Sequence, residues 1–202
     1  MYIILSLLLS ILTCYVGIKE MKAYASISAN LRKCIYLYPL LLIGIFYSAG
    51  NTYFSLFFGA ITPILISHFI IDIKEQELPN LSNLIILILG LLRLFCNFAK
   101  AGFSTDLLPI LGGYLLTGAL LFAIYLIIAV ITGGAIGGGD IKLVGALGIF
   151  FPSEMFIKLL IYPIFLGAIF AIGLLISKKG DKNTKFAFGP AIILAFYLIT
   201  II

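Results

Sequence analysis

Charged residues are scarce in this chain, and their scarcity excludes an ordinary soluble fold. Only 10% of the 202 residues are charged while 63% are hydrophobic, whereas a soluble domain carries about 25% charged residues. The apolar runs are continuous and lack the alternation of an outer-membrane β-barrel. Because only helices or closed barrels satisfy the backbone within lipid, the sequence predicts an all-α, polytopic membrane bundle embedded in a lipid bilayer.

Cysteines are also few, and no two of them form a Cys-x-x-Cys pair. Cys14, Cys34 and Cys96 are far apart and odd in number, a pattern that predicts neither a zinc site nor a disulfide framework. We therefore expect no metal and no cofactor. No basic residue precedes the apolar N-terminal stretch, which favours a retained first helix over a cleaved signal peptide.

Eight apolar runs, bounded by charge, glycine, proline or asparagine, are candidate membrane spans. We divide the chain into residues 1–52, with two spans and a short basic loop, and residues 53–202, a six-span core that carries the site discussed below. The runs cover residues 2–17, 35–50, 53–71, 83–98, 107–132, 141–152, 155–177 and 188–202.

Basic residues are concentrated on one side of this arrangement. With the N-terminus outside, ten of the thirteen Lys and Arg residues lie in or beside the loops on the cytoplasmic side, as the positive-inside rule expects. The net charge of +5 is thus explained by topology, and we expect no nucleic-acid partner. The protein is expected to be a multi-pass protein of the cell (inner or plasma) membrane.

Acidic residues number only eight, and two of them end long apolar runs. Asp72 and Asp140 occupy these positions, where a carboxylate is costly and is a functional-site candidate by default. Two spans, 83–98 and 107–132, separate them, so both aspartates return to the cytoplasmic face. If they meet, they form a proton-sharing pair able to activate water.

A glycine-rich segment, residues 133–139, precedes Asp140. An apolar helix comes before it, and the β-strand that a nucleotide-binding βαβ unit requires is missing. Two interpretations remain open: Asp140 caps the next helix, or Gly137 and Gly139 allow a close backbone approach that holds Asp140 at a water-accessible point. Lys142 either lowers the pKa of Asp140 as a nearby cation or anchors the helix at the interface.

Proline marks two further positions in the chain. Pro79-Asn80 follows Asp72 by a short loop and is a turn signal and a helix start. Gly189-Pro190 opens the last apolar run, again with proline in the first turn of a helix. Neither motif identifies a function by itself.

Taken in this order, these motifs resemble the type IV prepilin peptidases and the archaeal preflagellin peptidases, which are membrane aspartyl proteases with a Gly-x-Gly-Asp motif. The resemblance runs from about Ser67 to the C-terminus. It implies cleavage of the short basic leader of pilin-like or archaellin-like precursors at the cytoplasmic membrane face, in type IV pilus assembly or protein secretion. It also implies that Asp72 and Asp140 are the catalytic pair, with motif support from Gly137, Gly139, Lys142, Pro79, Asn80, Gly189 and Pro190.

Larger bacterial members of that family carry a cytoplasmic domain with two Cys-x-x-Cys pairs and also N-methylate the mature pilin. Here the corresponding loop is only about 17 residues long and keeps one cysteine. The resemblance therefore implies proteolysis and gives no basis for methylation.

Three other functions stay open at this stage. A presenilin-like intramembrane protease also uses Gly-x-Gly-Asp, although the place of its Pro-Ala-Leu motif is here Gly-Pro-Ala-Ile, residues 189–192. An ion- or proton-coupled transporter would use the paired carboxylates as a relay, with inverted repeats that this sequence does not show. A structural subunit of a secretion machine would need neither aspartate.

Overall fold

The structure, a computed structural model, describes residues 2–50, 52–102, 105–176 and 187–201, and the regular elements within these ranges are all helical. The prediction of an all-α fold is confirmed. Short 3₁₀ segments, Lys33–Leu37, Thr105–Leu107 and Ser153–Met155, lead into three of the α-helices. In chain order, the α-helices are α1 (Tyr2–Ala23), α2 (Ala29–Arg32), α3 (Tyr38–Ala49), α4 (Tyr53–Glu75), α5 (Asn80–Lys100), α6 (Leu108–Ile131), α7 (Gly138–Gly148), α8 (Phe156–Ile176) and α9 (Gly189–Ile201).

Six helical segments in the described ranges are long and apolar enough to cross a membrane. Two of the eight apolar runs become shorter helices, α7 with 11 residues and α9 with 13, whereas a crossing takes about 20. The chain is thus a polytopic helical membrane protein. The predicted domain boundary after residue 52 falls at the start of α4 and stays a prediction. The six segments are Tyr2–Ala23, Ala29–Ala49, Tyr53–Glu75, Asn80–Lys100, Thr105–Ile131 and Ser153–Leu174.

Helix α4 lies at the centre of the bundle. In its most apolar stretch 78% of the residues are buried, against 17–33% for the other five long segments. Small residues bring α1 against it: a Cβ on Gly59 would lie 2.6 Å from Ser6 Oγ, and Thr13 Oγ1 donates to the Ala60 carbonyl at 2.6 Å. Small side chains permit close backbone approach between helices in lipid. Because neighbours cover it, α4 can carry polar side chains away from lipid.

Helix α5 holds both ends of the short helix α7. At the start of α7, Asn83 Nδ2 donates to the Gly139 carbonyl at 3.2 Å. At its end, the Arg93 guanidinium donates to the Phe150 carbonyl at 2.9 Å, where a cation is favourable because of the helix dipole. The two α5 residues are ten positions apart, about 15 Å along a helix, which matches the length of α7.

Helix α9 is fixed on the bundle core by aromatic contacts and one hydrogen bond. The Tyr197 hydroxyl donates to Thr62 Oγ1 of α4 at 2.9 Å. The Tyr197 ring meets the edge of Phe58 at a centroid distance of 5.4 Å, and Phe196 meets Phe151 in the same way at 5.4 Å. Edge-to-face pairs of this kind stabilise buried packing. They hold α9 so that its N-terminus meets the C-terminal part of α4.

Candidate active site

Asp72, near the end of α4, and Asp140, in the first turn of α7, are brought together at one end of the bundle. Their side chains are buried, with 3% and 8% of their surface exposed. The negative charge of Asp72 reaches Asp140 strongly enough to perturb its protonation. Two carboxylates coupled in this way do not both ionise easily, so such a pair tends to hold one proton.

Asp72 is held by the first residue of α9. The Gly189 N–H donates to Asp72 Oδ2 at 2.8 Å, and a Cβ on Gly189 would lie 2.9 Å from the same oxygen. Glycine is therefore needed here for close approach. Pro190, which is buried, follows in the first turn, where its missing N–H breaks no helical hydrogen bond. The positive end of α9 thus faces the Asp72 carboxylate.

Asp140 is held by the residue before α7. The Gly137 N–H donates to its carboxylate, while Asp140 Oδ1 is buried and has no hydrogen-bond partner among the described residues. Asp140 lies outside the six long helices. Its burial, reinforced by the charge of Asp72, raises the pKa of Asp140 to about 7 in spite of the Gly137 hydrogen bond.

The Gly-x-Gly-Asp spacing follows from which of these positions are crowded. A Cβ on Gly137 would lie 3.1 Å from Asp140 Oδ2, and one on Gly139 would lie 2.8 Å from Leu78 Cβ. A Cβ on Gly138 would meet nothing within 4 Å in the described part of the chain. The cap of α7 is Gly137, so Asp140 stands inside the first turn. Both interpretations of this segment fit the structure, because the glycines permit close backbone approach and the Asp140 carboxylate accepts from the N–H of the cap residue Gly137.

Lys142 connects α7 to the start of α5. Its ammonium donates to Asn80 Oδ1 at 2.7 Å in an exposed position, and Pro79 is the extended residue that precedes α5. The pKa of Asp140 is raised by burial and by the charge of Asp72 and lowered by the Gly137 hydrogen bond, so the effect of Lys142 on that pKa stays a prediction. The Pro-Asn loop and the Gly-x-Gly-Asp turn thus meet through Lys142 and through Leu78.

Two residues beside this site were not named from the sequence. Asn83 is buried and binds the Gly139 carbonyl, next to Asp140 in the chain. Tyr125 is fully buried and close enough to Asp140 to feel its charge; its hydroxyl donates to the Leu160 carbonyl at 3.2 Å. An asparagine early in an apolar helix is a detectable signal, whereas a tyrosine among many gives none.

A cluster of polar side chains lies one helical turn before Asp72. The Ser82 hydroxyl donates to the Pro79 carbonyl at 3.2 Å, so it accepts from the Nε2–H of the chain's single histidine, His68. The Glu20 carboxylate approaches the Ser82 hydroxyl and backbone N–H, although without the geometry of a full hydrogen bond. These polar contacts join α1, α4 and α5, and the Ser82 hydrogen bond to Pro79 fixes the end of the loop that follows Asp72.

Comparison with known proteins gives a family match over the central part of the chain. The model of the type IV leader peptidase family matches residues 59–172, a range that contains both Asp72 and Asp140. Two curated relatives, both from Aeromonas salmonicida and both described as prepilin leader peptidase/N-methyltransferase, are 29% identical over 140 residues.

The match with these relatives covers 68% of this chain and 46% of each relative. The chain therefore spans about half the length of the curated relatives it matches. No solved structure matches the chain.

Proposed function

Because the chain belongs to the type IV leader peptidase family, we propose that it is a membrane aspartyl endopeptidase. Its substrates are membrane-inserted pilin-like or archaellin-like precursors, from which it removes the short basic leader. One observation carries the proposal: Asp72 and Asp140, buried on separate helices, are electrostatically coupled at one end of the bundle. The description of the curated relatives as prepilin leader peptidases supports the substrate class.

In the proposed reaction the two carboxylates share one proton. The pKa of about 7 keeps that proton on Asp140 below neutral pH, and the Gly189 N–H stabilises the ionised Asp72. Asp72 takes a proton from a water molecule as the water oxygen attacks the scissile carbonyl carbon. Asp140 donates its proton to the carbonyl oxygen and so neutralises the developing negative charge.

The resulting gem-diol then collapses. The proton taken by Asp72 passes to the amide nitrogen, the C–N bond breaks, and a diol hydroxyl returns its proton to Asp140 as the new carboxylic acid forms. Both aspartates end in their starting states. The pair acts as one coupled unit throughout, so no covalent enzyme intermediate is required.

The direct test replaces each aspartate by its neutral isostere. In purified protein, Asp72→Asn and Asp140→Asn are expected to lower the cleavage rate of a pilin-like precursor by at least about 10²-fold, the lower end of general acid–base contributions. Glu77→Gln, an exposed acid in the loop after α4, is the matched control and should cleave at the wild-type rate. Full activity in either asparagine variant would reject the pair.

The proposed active site faces the cytoplasm, as the distribution of basic residues indicates. In a cysteine-free background, Glu77→Cys at the active-site end should react with an impermeant maleimide only in inverted membrane vesicles. Ala101→Cys, at the exposed far end of α5, should react only in intact cells. The reverse labelling pattern would place the site on the opposite face.

The rival functions predict other products. A presenilin-like protease cuts within the membrane segment of its substrate, whereas a leader peptidase cuts between the basic leader and that segment. Mass spectrometry of the released fragment distinguishes the two. A proton-coupled transporter would carry a proton flux in proteoliposomes that disappears in Asp72→Asn, and a structural subunit would process no precursor.

A further inference from the structure

A groove of about 520 Å³ runs along the outside of the bundle between α5, α6 and α7. Its walls include Leu84 and Phe122, which are 50% and 41% exposed. Asn83 and Lys142 stand at one end and Ile149 stands at the other, so the groove follows α7 for about two helical turns, or roughly 10 Å. Lys142, at the same end of the groove as Asn83, is two residues from Asp140 in the chain.

Small residues form the floor of this groove. Gly118 of α6 and Gly145 of α7 line it, and the two helices cross so closely that a Cβ on Gly148 would lie 2.8 Å from the Gly118 Cα. Ala119 adds a third small side chain. The glycines serve this crossing, since a Cβ on Gly145 would lie 2.9 Å from Phe122 Cβ of α6, and the crossing leaves the groove open on its outer side. The space above the small residues suits the side chains of one face of a helix.

The end of the groove nearest Asp140 is polar, and its hydrogen-bonding capacity is only partly used. Asn83 must point its amide N–H at the Gly139 carbonyl, which can only accept. Its Oδ1 is then buried without a partner in the described ranges, in a side chain that is 4% exposed. Lys142 uses one ammonium hydrogen on Asn80 and has others to give.

The acceptor Asn83 Oδ1 and the donor ammonium of Lys142 lie at the same end of the groove, and they match the N–H and C=O groups of a peptide backbone. A phosphate headgroup would suit Lys142 but would place oxygen acceptors near Asn83 Oδ1, itself an acceptor, which is unfavourable. The larger groove of about 700 Å³ between α3, α4 and α9 is lined by apolar side chains apart from Lys74. Tyr197 and Cys34 also line that second groove, but the Tyr197 hydroxyl already donates to Thr62, so the groove suits an acyl chain and offers no such pairing.

We propose that the α5–α6–α7 groove seats the first turns of the substrate's membrane helix, with Asn83 and Lys142 binding the peptide beside the scissile bond. This inference rests on the proposed leader-peptidase activity and adds the place where the substrate lies. The polar end of the groove lies at the N-terminal end of α7, where Asn83 binds the Gly139 carbonyl next to Asp140 in the chain, so a helix seated in it would bring the leader junction to the end of the bundle that carries the carboxylate pair.

Photo-crosslinking tests the position of the substrate. A photoreactive phenylalanine is placed at Leu87 or Ala119 in the groove, or at Leu40 or Leu194 in the α3–α4–α9 groove as controls. The Asp72→Asn background keeps the precursor uncleaved. We expect precursor adducts from the first pair of positions and none from the second. Adducts only with a second copy of this chain, only with lipid, or from the control groove would overturn the proposal.

Kinetics provide a second measurement that needs no crosslinker. Ala119→Trp fills the groove and should raise KM for a full pilin-like precursor about tenfold with kcat within about twofold, the pattern of lost substrate binding. Leu40→Trp should leave both constants unchanged. Lys142→Met should raise KM, and Lys142→Arg, which keeps donors at this place, should restore it.

The measurements distinguish a wrong function from a wrong substrate groove. If the wild-type protein cleaves no precursor, the proposed function is wrong. If the wild-type protein cleaves and Ala119→Trp cleaves with the same kcat/KM, the function stands and the groove assignment is wrong.

Discussion

The backbone N–H of Gly189 donates to Asp72 Oδ2 at 2.8 Å, although 117 positions separate the two residues in the sequence. The last described helix, α9, therefore begins against a carboxylate that lies near the end of the central helix, α4. This contact explains why a glycine and a following proline stand at the start of α9: glycine permits the approach, and proline favours the first turn.

Gly189→Ala is expected to impair catalysis far more than folding. The added Cβ would lie 2.9 Å from Asp72 Oδ2, so either the start of α9 or the carboxylate must shift. A displacement of about 1 Å in a reacting group can cost on the order of 10²-fold in rate. The measurement is kcat for precursor cleavage, together with the thermal midpoint in detergent.

Gly173→Ala is the control for that substitution. A Cβ at Gly173 in α8 would meet nothing within 4 Å among the residues that the structure describes, and alanine is the better helix former. It should cleave at the wild-type rate. Equal activity in the two variants would show that the close approach of Gly189 to Asp72 is unimportant.

Much of the helical bundle was predictable from the sequence, because membrane-spanning helices consist of long apolar runs. The positions of Asp72 and Asp140 stood out because acids are rare in such runs, and the parity of the two spans between them placed them at one end. The runs 141–152 and 188–202 came close to the lengths of α7 and α9, but their burial in the bundle was not predictable, because an apolar run gives no sign whether lipid or protein surrounds it.

The partners of the carboxylates were the part that sequence could not supply. Gly189 meets Asp72, and Asn83 meets Gly139, only because α9 and α5 pack where they do. Such contacts depend on tertiary packing and leave no local pattern. The sequence predicted a role for Gly137 and Gly139, and the structure adds the neighbours, Asp140 and Leu78, that a Cβ at these two positions would meet.

Alanine substitutions at the two adjacent glycines of the Gly-x-Gly-Asp turn, Gly138 and Gly139, should have different effects on cleavage. Gly139→Ala would bring a Cβ to 2.8 Å from Leu78 Cβ and 3.3 Å from the Leu78 carbonyl oxygen, whereas Gly138→Ala meets open space among the described residues. We expect Gly139→Ala to lose most of its cleavage activity and Gly138→Ala to keep it. A side-by-side precursor assay of the two variants decides, and comparable losses would contradict the packing explanation.

The raised pKa of Asp140 predicts a pH-dependent cost in stability. The folded protein keeps this proton up to about pH 7, whereas an unfolded aspartate loses it near pH 3.9. Between these values the folded state binds more protons, so this group's contribution to stability falls as pH rises and levels off above about 7.

Asp140→Asn removes that cost because the amide is neutral at every pH. It should raise the thermal midpoint relative to wild type by roughly 10 °C at pH 8, and the difference should vanish toward pH 4. Circular dichroism suits the measurement, because the chain has no tryptophan. The exposed Glu77→Gln should show no such trend. A gain that grows on acidification would reverse the inferred direction of the pKa change.

Arg93 is expected to matter for stability and little for chemistry. It is 5% exposed, donates to the Phe150 carbonyl at 2.9 Å, and lies over the Tyr114 ring at 4.8 Å from its centroid. Arg93→Met leaves that carbonyl without its donor, which costs about 1–3 kcal/mol for a buried group, and should lower the thermal midpoint in detergent. Because Arg93 holds the end of α7 opposite Asp140, precursor cleavage at low temperature should persist.

Lys158→Met, at an exposed position in α8, is the control for the Arg93 substitution. A thermal midpoint equal to wild type in Arg93→Met would show that α7 does not depend on the Arg93–Phe150 hydrogen bond.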